Sequence, residues 1–174
     1  MIILKPHMFV LLTLLLVFPL FSCDEGPNVF VAGFEAIYFN SFEAKADTVG
    51  IFGNGGWAIQ KVAPVGGDGQ SLRVSGGCIA PHASIILPQL AEDGYYKLQC
   101  WGKNLAIGGA VELAIQGAED NFLWVSVNDP EWRFIESADS LFCAANQRLV
   151  LSLNAGGIVY SAMLVDMIEV VRVP

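Results

Sequence analysis

The 174-residue chain is poor in positive charge: nine lysines and arginines stand against 17 aspartates and glutamates, a formal net charge of −8. Nucleic acid is bound through clustered Lys and Arg, so it is excluded as a partner. Nor does the chain's own charge draw it to anionic lipid. Histidine is scarcer still, with only His7 and His82. No Cys-x-x-Cys pair or His-rich tract offers a transition-metal site, and no Gly-x-Ser-x-Gly elbow is present. The glycine-rich "GNGG" and "GGDG" lack the Gly-Lys-Ser/Thr of a phosphate loop and read as turns. A pair of carboxylates could make a glycosidase, Glu112 with Glu119 or Asp120, but nothing else in the sequence supports that pair and the domain is small for the task. The expectation is a protein that is not an enzyme.

Long apolar runs are also missing, with one exception. "MFVLLTLLLVFPLF" (8–21) is nearly all apolar, and nothing after it approaches the roughly 20 residues that span a bilayer. The run follows Lys5 and contains Pro19, the layout of a secretory signal. It ends in Leu20-Phe21-Ser22-Cys23, which resembles the lipobox of bacterial lipoproteins, with Phe21 departing from the small residue usual there. The resemblance implies a signal peptide over 1–22, a lipidated Cys23, and a tether through 33. An uncleaved anchor and an ordinary signal peptide are the other readings. Acyl chains on Cys23 would hold the protein to a membrane at about 0.8 kcal/mol per buried CH₂. The expected location is the bacterial cell envelope, lipid-anchored, at the outer membrane or cell surface. Asp24 and Glu25 resemble export signals of surface lipoproteins, although retention in the inner membrane also uses aspartate there.

From residue 34 onward the chain lacks any amphipathic helical stretch of ordinary length. It holds short runs of period-2 alternation: "SLRVSG" (71–76), "ASIIL" (83–87), "YYKLQCW" (95–101), "AVELAIQ" (110–116), "FLWVSV" (122–127), "RLVLSL" (148–153) and "AMLVDMIEVVRV" (162–173), with "WRFIESADSLF" (132–142) a further candidate. Gly, Asn, Asp and Pro punctuate them. The expected fold is all-β, a jelly-roll β-sandwich of two antiparallel sheets over 34–174. Alternation assigns Tyr96, Leu98, Cys100, Val111, Leu113, Ile115, Leu123, Val125, Val127, Leu149, Leu151 and Leu153 to the core. Lys97, Gln99 and Trp101 fall on an outer face, while Trp57 and Trp132 follow turns and are expected to close the sandwich edges as core aromatics.

Sugar recognition needs an aromatic face for pyranose C–H groups and planar polar groups for hydroxyls. Strands 83–87, 110–116, 122–127 and 148–154 are expected in one sheet, whose outer face then carries Trp124, Glu112, Gln116, Ser126, Arg148 and Asn154. Trp101 on the other sheet is a second candidate. The alternative for the same face is a solvated surface whose tryptophan is covered by a loop or a partner.

The order of "NSFEA", "GWAI", "GDGQSLRVSG", "EDGYYKLQCWGK", the Trp132 strand and "LVDMIEV" resembles carbohydrate-binding modules with a galactose-binding-like β-sandwich. The resemblance spans about 40–173 and implies a carbohydrate partner. It also implies a structural Ca²⁺ between the first and last strands, at Glu43 and Asp166 with oxygens near Ser41, Asp68 and Ser71. Ca²⁺ takes six to eight oxygen ligands, so two carboxylates with loop carbonyls form a sensible set. Otherwise Asp166 caps buried amides and Glu43 is a surface acid. The rival function is a structural or adhesion module binding an envelope protein, with no sugar site. With Cys23 set aside, Cys78, Cys100 and Cys143 remain as buried thiols or one bridge. The jelly-roll order favours Cys78–Cys100, leaving Cys143 free.

Overall fold

The structure, a computed structural model, describes residues 35–54, 56–67 and 69–174. The expected signal peptide, Cys23, the tether and Asp68 lie outside the described residues. Two antiparallel sheets face each other. One is five-stranded, in the order β2 (Ile51–Phe52), β5 (Ala83–Gln89), β11 (Arg148–Asn154), β7 (Gly109–Ile115) and β8 (Ala118–Val127). The other centres on β6 (Gly94–Ala106) and β12 (Ala162–Val173). On the far side of β12 lie β4 (Ser71–Ser75), flanked by β3 (Trp57–Gln60), and β1 (Glu35–Asn40). On the far side of β6 lie β9 (Arg133–Glu136) and β10 (Leu141–Cys143). The one helical element among the described residues is a 3₁₀ turn, Lys45–Thr48. None of their helices is long and apolar enough to cross a membrane.

The alternation read from sequence sets the core. All twelve side chains assigned inward are buried, and they pack in one cluster with Leu72, Val74, Met163, Val165, Ile168 and Val170. In β12 the inward spacing changes once. Asp166 pairs with Trp101 and Glu169 with Gln99, so three steps on β12 match two on β6. This bulge adds one residue. It keeps Ile168 and Val170 in the core and sends Glu169 to the outer face. Met167 takes φ +47° there, and its N–H donates to Asp166 Oδ1 at 2.7 Å.

Several expectations need correction. The 132–142 stretch is two short strands, β9 and β10, both paired to β6. Trp57 packs against the core as expected, but Trp132 is only half-buried and stands outside the core cluster. Gln99 is on the outer face yet 4% exposed, because its side-chain amide donates to the buried Glu169 carboxylate. The Cys78–Cys100 bridge does not form, and Cys78, Cys100 and Cys143 are all free. The sequence reading ended the strand near 101, but β6 runs to Ala106. Cys100 therefore sits mid-strand opposite Ile135, fully buried. Cys78 lies exposed in the loop after β4, at the end where Ala106 and Ser75 both pair with Ala162. The six residues from Cys100 to Ala106 place the two cysteines about 20 Å apart along the strand, far beyond disulfide reach.

Candidate functional site

The outer face of the five-stranded sheet can be assembled row by row from its register. One row crosses every strand: Phe52, Ser84, Ser152, Glu112 and Trp124 are successive cross-strand partners. Four strand spacings make that row about 19 Å long. Two residues along, Ile86, Val150, Ala114 and Phe122 form a second row. On the other side, Asn154, Ala110 and Ser126 form a third. Aromatic rings stand at the two edges of the face, with Ser84, Ser152 and Glu112 between Phe52 and Trp124 in the central row. Trp124 is 58% exposed, Phe52 49% and Phe122 48%. Trp124 and Phe122 stand on the outward half of an alternation whose inward half, Leu123 and Val125, is committed to the core.

The polar groups of the face converge on Glu112. It is half-buried, and desolvation raises its carboxyl pKa above the ordinary carboxylate range; a hydrogen bond from the Asn154 side chain acts the other way. Asn154 Oδ1 is buried without a hydrogen-bond partner among the described residues, as is the Ser84 hydroxyl in the first row. Buried polar atoms left unpaired cost free energy, and both lie beneath the accessible surface of the face.

The structure brings Trp124, Glu112, Ser126 and Asn154 together on this face. Gln116 and Arg148 are on it but displaced toward one end, exposed, with the Gln116 N–H donating to the Arg148 carbonyl at 2.9 Å. Trp101 is elsewhere, on the outer face of the other sheet. It is half-buried, with the Phe134 ring at 6.0 Å in an edge-on arrangement and Asp166 as its cross-strand neighbour. The sequence reading missed Phe122, Phe52, Ser84 and Ser152. Phe122 was visible as the residue two before Trp124. Phe52 was not, because a two-residue strand carries no period.

The residues expected around calcium are partly assembled. Asp166 is fully buried, and a Cβ built on Gly67 would lie 2.9 Å from its Oδ2, so the 63–67 loop closes directly over the carboxylate. Glu43 is tied to the end of the same loop: its carboxylate accepts the Gln70 N–H at 2.9 Å, and its carbonyl accepts Gln70 Nε2 at 2.9 Å. The Ser71 hydroxyl donates to the Val62 carbonyl at 2.5 Å, and Ser41 is half-buried. Among the described residues no three His, Cys, Asp or Glu side chains gather as a metal cluster. The donors present are oxygens, the chemistry a hard cation takes, with Asp166 fixed by its bulge and Glu43 by Gln70.

No protein-family model matches the chain, and no curated protein matches it. Solved structures do. The CBM22-1 xylan-binding domain of Paenibacillus barcinonensis Xyn10C aligns with 80% of this chain and 96% of its own, at TM-score 0.56 and 17% identity. A carbohydrate-binding module (CBM6cm-2) of Cellvibrio mixtus lichenase 5A, solved with cellotriose, aligns with 80% of this chain and 100% of its own, at TM-score 0.53 and 12% identity. The fold is that of a carbohydrate-binding module. At these identities the likeness is one of backbone architecture, and the side chains of the carbohydrate-binding-module-like sandwich must be argued from its own surface.

Proposed function

We propose that this protein is a non-catalytic envelope module, lipid-anchored through Cys23, that binds carbohydrate on the outer face of its five-stranded sheet. The observation that carries the reading is Trp124, 58% exposed directly opposite Glu112, at one end of an unbroken row with Phe52 at the other. The rings supply apolar faces for the C–H surfaces of pyranoses. Glu112, Asn154 and Ser152 between them supply acceptors and donors for hydroxyls. Ser126 flanks the central row, and Gln116 and Arg148 lie where a longer chain would leave it. A Ca²⁺ held by Glu43 and Asp166, with oxygens near Ser41 and Ser71 and from Asp68, would brace the 63–70 loop without taking part in sugar contact. The lipid anchor places the face at the cell envelope, at the outer membrane or cell surface, where polysaccharide is met. Glycan-array binding of the wild-type chain beside Trp124→Ala tests the reading. Binding that survives Trp124→Ala unchanged contradicts it, and binding to an envelope protein in place of any glycan favours the adhesion alternative.

A further inference from the structure

A second concave surface lies at the end of the sandwich where β1 begins, on elements the Trp124 face does not use. There a cleft of about 440 Å³ is bounded by Glu35, Asp93, Tyr95, Phe142 and Arg172. This volume is within the range of small-ligand sites. Tyr95 and Phe142 are cross-strand partners on β6 and β10, with centroids 5.3 Å apart and planes tilted by 58°. The rings are 50% and 47% exposed, so each offers apolar surface that the described residues leave uncovered.

The polar wall is held in place. Arg172 Nη1 lies 2.6 Å from Glu92 Oε2, and Nη2 donates to the Asp93 carbonyl at 2.7 Å. Asp93 in turn accepts the Ala145 N–H through Oδ1 at 2.6 Å, which fixes its carboxylate at the mouth. Gly94 permits this arrangement: a Cβ there would stand 2.9 Å from Arg172 Nε. Two of the five guanidinium N–H groups are thus engaged, which leaves three as donors at the cleft.

We propose that this cleft is a second carbohydrate subsite, for uncharged pyranose units of a neutral glycan. The charge pattern selects that class. Glu35, Glu92 and Asp93 disfavour an anionic sugar. An ammonium ligand offers donors only and leaves the Arg172 N–H groups without acceptors. A hydroxyl both donates and accepts, so it matches carboxylates and a guanidinium side by side, and the apolar C–H face of a pyranose matches the ring pair. The aromatic pair receives the C–H face. The subsite rests on the same carbohydrate reading as the Trp124 face but uses none of its residues.

The test is calorimetric titration of the full chain with xylohexaose, cellotetraose and β-1,4-galactotriose, for wild type, Trp124→Ala, Tyr95→Ala and Glu35→Gln. Glu35 is an exposed strand residue, so its variant keeps the question open where Tyr95→Ala fails to fold. The expected result is two sites per chain for at least one probe, with Tyr95→Ala and Glu35→Gln weakening one at least tenfold and Trp124→Ala weakening the other. A single site abolished by Trp124→Ala overturns this proposal and leaves the sheet-face reading standing. A single site abolished by Tyr95→Ala and Glu35→Gln supports the cleft and overturns the sheet face. No heat with any probe at millimolar concentration overturns both.

Discussion

Trp124 stands directly across the β7–β8 ladder from Glu112, so the exposed indole of the sheet sits beside a carboxyl whose pKa burial raises. Cross-strand partners on one face are within side-chain reach of each other. The pairing places an apolar ring and an acceptor where one sugar unit could meet both.

The raised pKa of Glu112 has a stability consequence. A carboxylate whose folded pKa lies above its unfolded value binds protons more tightly when folded, so stability is lost as pH rises between the two. Glu112→Gln keeps the acceptor for Asn154 and removes the charge. Its melting temperature is expected to equal or exceed wild type at pH 7, with the difference vanishing at pH below the ordinary carboxylate range. A variant less stable than wild type at pH 7 would contradict the desolvated carboxylate.

Gly67 is required by contact with Asp166. A Cβ at 67 would meet Asp166 Oδ2 at 2.9 Å, Ala63 Cβ at 3.1 Å and Pro64 Cδ at 3.3 Å. Gly67→Ala is expected to cost about 1–3 kcal/mol by overpacking, a fall of roughly 2–10 °C in melting temperature. Gly157→Ala, where nothing lies within 4 Å of the added carbon, is the neutral control. Equal melting of both variants would sink the argument.

Calcium bound at Glu43 and Asp166 must stabilise the folded state, by about 2.7 kcal/mol at a free concentration one hundredfold above Kd. The melting temperature is expected to rise with added Ca²⁺ and fall on chelation, and Asp166→Asn should abolish the response. A chelator-insensitive transition in the wild type speaks against both ligands.

The three domain cysteines should differ sharply in reactivity. Cys78 is exposed, whereas burial, with the Asp166 charge adding to it, pushes the Cys100 thiol up to about 12, and burial raises Cys143. The thiolate is the reactive form. Native protein at pH 8 is expected to label rapidly at Cys78, with Cys100 and Cys143 reacting only on unfolding. Rapid labelling that persists in Cys78→Ser at Cys100 or Cys143 would show that the core strands open.

The sheet was legible where alternation was long and uninterrupted. β12 was read with both ends correct, and β5, β7, β8 and β11 were grouped in one sheet, because leucine and valine at every second position leave one face to bury. Short strands escaped. β2 and β3 have two and four residues, and β10 only three, so pairing with longer neighbours decides them, not their own pattern. The Asp166 bulge was hidden for a related reason. Inserting one residue changes the period without changing the composition. The misplaced disulfide followed from ending β6 near Trp101, when Gly102 is kept inside the strand. Its missing side chain admits Val127 and Ile135, each about 3 Å from where a Cβ would be. Trp124, Glu112 and Asn154 were found because they sit on the outward half of clean alternation. The Tyr95–Phe142 pair joins residues 47 positions apart in sequence, a pairing that neither strand's own pattern shows.

The proposed grip on a glycan through Trp124, on the outer face of the five-stranded sheet, is open to direct measurement. Its most direct measure is the dissociation constant for the tightest neutral oligosaccharide, compared between wild type and Trp124→Ala with folding verified by melting. At least a tenfold loss is expected, about 1.4 kcal/mol, with the melting temperature nearly unchanged because the ring is exposed. Unaltered affinity in a folded Trp124→Ala chain would contradict it.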